Sequence, residues 1–211
     1  MNDLSKSLRL IAHDALSAAR KRRQISACLK KRGFISLGKG GWLGFRNRDV
    51  VSGFVVEGSP LDTYISTFVL PAFDRRDFIT WGLGGRVVHC DLQRDTHEEC
   101  KQAFDSYIAG ISMVRSSADL ISYLRVQQPK GHYPIWVTYL CYLRLLDLDT
   151  ATQYLDDGRR NLLHSVQIQQ FEEINRFAVA HDKEGVISVL ASWSAFSERI
   201  FGPLDQTFSV F

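Results

Sequence analysis

Four side chains of the type that bind zinc lie within twelve residues of one another: His89, Cys90, His97 and Cys100. Imidazole nitrogens and thiolates are the usual ligands of structural zinc sites. The spacing matches no common zinc finger or ribbon, and neighbouring residues such as His89 and Cys90 point to opposite faces of a strand. We favour the alternative, in which His89 faces solvent, His97 begins a helix and both cysteines lie in the core. The sequence therefore predicts no metal site and no cofactor.

Glu57 is the carboxylate with the most unusual sequence context, because it closes the apolar run of a predicted strand. Partial burial there would raise the pKa of the carboxyl group, whereas an ion pair with an arginine of the basic N-terminal helix is the commoner outcome. An enzyme site assembled from Glu57, His89 and His97 is therefore one alternative. The sequence has no phosphate-binding G-x-x-x-x-G-K-[ST], no G-x-S-x-G and no H-E-x-x-H motif, and it favours a protein that is not an enzyme.

Basic residues between positions 20 and 48 form the pattern most typical of a binding surface. The candidate residues for binding a protein partner or nucleic acid are Arg20, Lys21, Arg22, Arg23, Lys30, Lys31, Arg32, Lys39, Trp42, Arg46 and Arg48. Basic side chains interleaved with aromatic rings such as Trp42 and Phe45 bind single-stranded nucleic acid through phosphate contacts and base stacking. The same two rings are equally suited to a core between a sheet and a helix, and a charge run at a helix end is usually a solvated face.

The net charge of +3 is unevenly distributed along the chain. Residues 1–50 carry 12 Lys/Arg and 3 Asp/Glu, a net charge of +9, and residues 51–211 carry 14 and 20, a net charge of −6. Such an asymmetry predicts a basic face at one end of the molecule. That face can meet nucleic acid, an acidic protein surface or the acidic part of the same chain, and the sequence leaves these alternatives open.

The element that carries most of the basic residues is predicted to be a helix. Apolar residues from Leu4 to Ala19 recur at spacings of three and four, which places them on one helical stripe. Lys30, Lys31 and Arg32 then fall in the last turn, where cations suit the negative end of the helix dipole. Gly33 is the predicted C-cap.

Short runs rich in Val, Phe and Ile follow, and Gly, Pro or Asn separate them, which is typical of β-strands. The predicted strands are residues 34–37, 42–45, 50–57, 64–70 and 78–81, with residues 86–89 as an extension of the last one. Their short connections favour antiparallel pairing, since parallel strands need long crossovers.

From Thr96 onward the pattern is helical. Thr96 and Glu99 fit a capping box, Ser116 opens a further helix, and residues 127–131 form the clearest break. The remaining predicted helices lie around Trp136 and over residues 150–164, 166–181 and 184–201. The order of one helix, about five strands and then helices predicts an α+β fold: an N-terminal helix, an antiparallel meander and a helical C-terminal half.

The whole chain, residues 1–211, is predicted to form one compact unit. It has a soft internal boundary near residue 128, with a helix and sheet over residues 1–95 and helices over residues 96–211. The longest apolar stretch, residues 135–146, is shorter than the roughly 20 residues that span a bilayer. No apolar signal-peptide core follows the N-terminus, and the four cysteines are scattered. We therefore expect a cytoplasmic protein that does not contact a membrane.

The step Lys31-Arg32-Gly33-Phe34, with the strands at Trp42-Leu43-Gly44-Phe45 and Val50 to Ser59, resembles a group of small bacterial domains of unknown function. In these domains a leading helix ends in a similar basic step and a meander of strands follows. The resemblance covers about the first 90 residues. Some such domains look like immunity proteins, which neutralise a toxin by binding it, so the resemblance implies a toxin as partner and carries over no catalytic residue.

These observations together favour a non-enzymatic protein-interaction module in the cytoplasm, of the kind that immunity proteins represent. Binding of nucleic acid by the basic N-terminal helix is the first alternative, and an enzyme with an unrecognised site is the second.

Overall fold

The structure is a computed structural model that describes residues 19–201 with internal gaps. The gaps are residues 21, 24, 28, 38–41, 48, 58–62, 76–82, 84–85 and 91–96. Inside strands and helices, the side chains of residues 47, 63–64, 86–90, 97–104 and 200–201 are not described either.

An antiparallel meander forms the sheet. Its strands are β1 (Ile35–Ser36), β2 (Trp42–Asn47), β3 (Val50–Glu57), β4 (Thr63–Pro71) and β5 (Arg86–Cys90), and they lie side by side in chain order. β1 has only two residues, so the sheet consists of four full strands and a short edge pairing, and the prediction of about five strands is slightly off. Residues 78–81 lie outside the described part, and most of β5 comes from residues 86–89, which the sequence indicated as an extension.

Helices precede and follow the sheet. Residues 19–31 are helical wherever they are described and are called α1. The others are α2 (His97–Ser112), α3 (Ser117–Gln127), α4 (His132–Arg144), α5 (Leu148–Asp156), α6 (Ser165–Val179) and α7 (Lys183–Phe201), with a 3₁₀ turn at Arg159–Leu162. The α+β class and the mostly helical C-terminal half are thereby confirmed. The helix predicted over 150–164 is present in its first part, but its predicted end is wrong, because the chain leaves the helix after Asp156 and Gly158 adopts a φ of +85°.

The N-terminus of α3 is fixed by a capping box. The Ser116 hydroxyl oxygen accepts a hydrogen bond from the Asp119 backbone N–H at 3.2 Å, and the Asp119 carboxylate accepts from the Ser116 N–H at 3.0 Å. Desolvation raises the pKa of Asp119, but hydrogen bonds from Ser116 and Arg115 outweigh it, so the pKa lies below its ordinary value of 3.8. The helix start predicted at Ser116 is therefore confirmed, and the Asp119 carboxylate stabilises it through hydrogen bonds from the backbone.

We expect Asp119→Ala to lower the free energy of unfolding by about 1 kcal/mol at pH 7, because the backbone N–H groups of Arg115 and Ser116 lose their acceptor. Since the folded-state pKa is depressed, this contribution is present above the ordinary pKa and disappears as the pH falls through the lowered value. Urea unfolding at pH 7 and about pH 3 measures the difference. Glu172→Ala, an exposed carboxylate within α6, is the matched control, and an equal loss in both variants would contradict the assignment.

Strand β3 lies in the middle of the sheet and is buried on both faces. Every residue from Val50 to Val56 is buried, although antiparallel strands commonly leave one face to solvent. On one face, the ring of Phe34, just after α1, lies 5.3 Å from that of Phe45 and 5.4 Å from that of Phe54. Arg46, which pairs with Val51 of β3 in the sheet, contacts Glu198 and Ser194 of α7. A single cluster of buried side chains extends from Phe54 to Trp193, and the boundary near residue 128 stays a prediction.

Asp74 joins the sheet to the helices. It follows β4, is only 3% exposed, and its carboxylate accepts hydrogen bonds from the Tyr133 hydroxyl and the Trp136 indole N–H, both at 3.0 Å. Its backbone carbonyl accepts from the hydroxyl of Ser197 in α7. Because a buried charge is tolerated only where hydrogen bonds replace water, this residue fixes the position of α4 and α7 relative to the sheet.

Replacement of Asp74 by Ala is expected to lower the free energy of unfolding by about 3 kcal/mol, because two buried donors lose their acceptor. Tyr133→Phe removes one of the two hydrogen bonds and should lower it by about 1 kcal/mol. Chemical unfolding followed by tryptophan fluorescence measures both. A loss below about 1 kcal/mol for Asp74→Ala would show that the helices are positioned by apolar packing alone.

Candidate functional site

A groove runs along one face of α1 where this helix lies beside β3. Its lining residues in the described part of the chain are Ala19, Arg22, Arg23, Ser26, Ala27, Lys30 and Val56, and its volume is about 470 Å³. The helical members recur at spacings of three and one, so they form a single stripe of about 16 Å at 1.5 Å per residue. We call this feature the α1 groove.

The cations of α1 give the groove a positive potential. Arg20, Arg23, Lys30 and Lys31 are all exposed, and none of the four has an ion-pair partner among the residues that the structure describes. Arg23 and Lys30 line the groove, whereas Arg20 and Lys31 lie on the same helix outside it. Arg22 also lines it and is partly buried. The sequence therefore identified the basic helix, and the fold shows which cations share one face.

Two other members of the predicted basic set are paired with the acidic part of the chain. Arg32 at the end of α1 forms an ion pair with Asp105 of α2. Arg46 of β2 donates from Nη1 to Glu198 of α7 at 2.9 Å. The charge distribution left three partners open for the basic residues: nucleic acid, another protein or the acidic part of the same chain. These two arginines contact the acidic part of the same chain. Lys21, Lys39 and Arg48 lie outside the described residues.

The two aromatic residues among the basic residues pack against the core. The ring of Trp42 lies 5.2 Å from that of Phe68 in an edge-to-face contact, and Trp42 is half-buried. Phe45 is 4% exposed and packs against Phe34. These contacts favour the core interpretation of both rings over a platform for stacking bases.

We expect Trp42→Ala to lower the free energy of unfolding by about 2–3 kcal/mol, because a large half-buried ring leaves the contact with Phe68. Thermal and urea unfolding measure the loss. Val126→Ala is the control, since Val126 is 78% exposed and its truncation should change stability by less than about 0.5 kcal/mol. If Trp42→Ala unfolds like the wild type, the ring contributes nothing to the core and a surface role gains support.

The structure places the candidate residues for metal binding or catalysis on β3, β5 and α2. His89 and Cys90 belong to β5, and His97 and Cys100 lie at the start of α2, but the side chains of these four are outside the described part. Glu57 is exposed, which excludes partial burial, the less common of the two alternatives for this residue, and it forms no ion pair with any arginine that the structure describes. The strand register places Tyr64 between Glu57 and His89, which separates those two backbones by about 10 Å.

Cys141 is the buried cysteine of α4 and behaves as a small apolar residue. Its side chain is completely buried. Desolvation raises the pKa of this thiol far above its ordinary value, and the nearby Asp49 and Asp74 carboxylates raise it further. The thiol is therefore neutral and unreactive at physiological pH.

A second cavity, of about 250 Å³, lies where β2 and the start of β3 meet α4 and α7. Its lining residues are Arg46, Asp49, Phe73, Arg144, Leu190, Ala191, Ser194, Ala195 and Glu198. We call it the arginine cavity. No sequence pattern indicates this cavity, because Arg144 and its partner Asp49 are 95 positions apart and no local spacing links them.

No known protein family, curated protein or solved structure matches this chain. The resemblance of the first 90 residues to small bacterial domains therefore stays a prediction. Among the helices that the structure describes, none combines the length and the apolar composition that crossing a membrane requires.

Proposed function

We propose that this protein is a non-enzymatic interaction module that binds an acidic segment of a partner protein in the α1 groove. The observation that carries the proposal is the stripe of Arg23, Ser26, Ala27 and Lys30 beside Val56. Cations at its edges attract carboxylates, and small residues between them allow a partner backbone to approach closely. A length of about 16 Å suits roughly three turns of a helix.

The packing of Trp42 and Phe45 supports a protein partner over single-stranded nucleic acid. Sequence-tolerant binding of single strands relies on aromatic side chains that stack with bases, and both rings are engaged with other rings of the fold. The small lining residues Ala19, Ser26 and Ala27 offer van der Waals contact but no stacking surface. An acidic helix or extended peptide matches this combination of charge and shape.

Such a module acts by occlusion. The exposed cations of α1 steer an acidic partner toward the groove, which speeds association more than it increases affinity. A partner held there has part of its own surface covered. An immunity-type protein neutralises a toxin in this way. The proposal that this protein is of that type, acts in the cytoplasm and has a toxin as its partner rests on the resemblance of its N-terminal part.

The proposal predicts that an acidic amphipathic peptide binds the wild-type protein and that Arg23→Gln/Lys30→Gln weakens this binding about fivefold. The estimate assumes about 0.5 kcal/mol for each of two partly exposed ion pairs. The probe is a fluorescein-labelled 18-residue peptide with glutamates at every fourth position, and fluorescence anisotropy at low and high NaCl measures the affinity. Binding should weaken as salt increases, because screening reduces the attraction.

Arg20→Gln/Lys31→Gln is the matched control, because it removes the same charge from the same helix outside the groove. We expect it to change the affinity less than about twofold. Equal losses in both double variants, or no binding of the peptide at low salt, would contradict the α1 groove as the site. A duplex or single-stranded 20-nucleotide DNA that binds more tightly than the peptide would replace the proposal with the nucleic-acid alternative.

A further inference from the structure

Among the residues that the structure describes, none lines both the arginine cavity and the α1 groove, so the use of this cavity is a separate question from the proposed function. The described lining combines charged and apolar side chains. The charged ones are Arg46, Asp49, Arg144 and Glu198, and the apolar ones are Phe73, Leu190, Ala191 and Ala195. Small-molecule sites typically combine an apolar wall with a few oriented polar groups.

Arg144 is held in place by one of its three guanidinium nitrogens. Its Nε donates to Asp49 Oδ1 at 3.0 Å, and the Ser117 hydroxyl donates to the other oxygen of Asp49 at 3.1 Å. The guanidinium also lies 5.9 Å from the centre of the Phe73 ring. The two terminal nitrogens of Arg144 make no hydrogen bond to any residue that the structure describes. They form a planar pair of donors of the kind that recognises a carboxylate with two parallel hydrogen bonds.

Arg46 is also oriented without a ligand. Its Nη1 donates to Glu198 at 2.9 Å, and its Nη2 lies 3.4 Å from the Ser194 hydroxyl oxygen. Both guanidinium groups are therefore held by contacts between sheet and helices. Such preorganisation reduces the entropy that a ligand must overcome on binding.

The charges that line the cavity favour a ligand with one carboxylate over a polyanion. Among the lining residues that the structure describes, two arginines and two carboxylates sum to zero, so these four side chains together offer no net attraction to a polyanion such as a phosphate ester. The terminal donors of Arg144 instead favour one carboxylate by short-range hydrogen bonding. A volume of about 250 Å³ corresponds to roughly eight water molecules, which leaves room for a short hydrocarbon chain against Leu190, Ala191 and Ala195.

We propose that the arginine cavity binds a small aliphatic monocarboxylic acid. The carboxylate accepts hydrogen bonds from the terminal nitrogens of Arg144, and the hydrocarbon part lies against the apolar wall that Leu190 and Ala191 contribute from α7. Arg46 and Glu198 also line the cavity, and their ion pair neutralises the charge of both side chains.

Isothermal titration calorimetry with 4-methylpentanoate tests the proposal, and 4-methylpentanamide and inorganic phosphate serve as comparison probes. We expect the carboxylate to bind with a Kd of about 1 mM or below, and the amide to bind at least about tenfold more weakly because it carries no negative charge. Phosphate should not compete. No heat of binding from the carboxylate at about 10 mM, or equal binding of the amide, would overturn the proposal.

Two variants locate the site. Arg144→Gln should weaken binding of 4-methylpentanoate about tenfold or more, because the paired donors are lost. Ala191→Phe leaves all four charged residues in place and should also weaken binding, because the ring occupies the apolar side, so a folding defect of Arg144→Gln does not decide the result.

Arg176→Gln, on α6 beside Phe177, is the control and should bind normally. Unchanged affinity in both Arg144→Gln and Ala191→Phe would overturn the assignment. The Arg23→Gln/Lys30→Gln protein should bind the carboxylate normally, so failure of the α1 groove and failure of the arginine cavity are distinguishable.

Discussion

The buried carboxylate of Asp74 is the constraint on which the arrangement of sheet and helices depends. It lies just after β4, and its two oxygens accept hydrogen bonds from Tyr133 and Trp136 of α4, while its carbonyl accepts from Ser197 of α7. A carboxylate that has lost its hydration is stable only while such donors stay in place. The interaction therefore specifies one position for both helices, which apolar packing between Trp136 and Trp193 alone would leave less defined.

The arginine cavity follows from that position. With α7 held beside the sheet, Glu198 and Ser194 reach Arg46 of β2, and with α4 held there, Arg144 reaches Asp49 at the start of β3. Each of these ion pairs is partly exposed and contributes little to stability. Their effect is orientation, because they fix two guanidinium groups beside an apolar wall instead of leaving them mobile in solvent.

The local parts of the fold could be predicted from the sequence, and the long-range contacts could not. The apolar run at Val50 to Glu57 indicated a strand, and Ser116 with Asp119 indicated a helix start, because both signals depend on neighbouring residues. Asp74 gave no such signal: aspartates are almost never fully buried, and its donors are about 60 positions away. The arginine cavity depends on equally distant contacts, so no local pattern predicts it. The end of α5 at Asp156 is also not evident from the sequence, because the apolar periodicity continues past Gly158.

The same distinction explains how the fold divides the basic residues. In the sequence these residues form one set, since charge alone does not show which cation contacts which carboxylate. In the fold, Arg32 and Arg46 contact Asp105 and Glu198, so part of the N-terminal charge is neutralised where the acidic helices pack against it. The exposed cations of α1 have no such carboxylate among the described residues. Their charge can therefore attract a second molecule. For this reason we propose the α1 groove, and not the whole basic segment, as the surface that binds a partner's acidic segment.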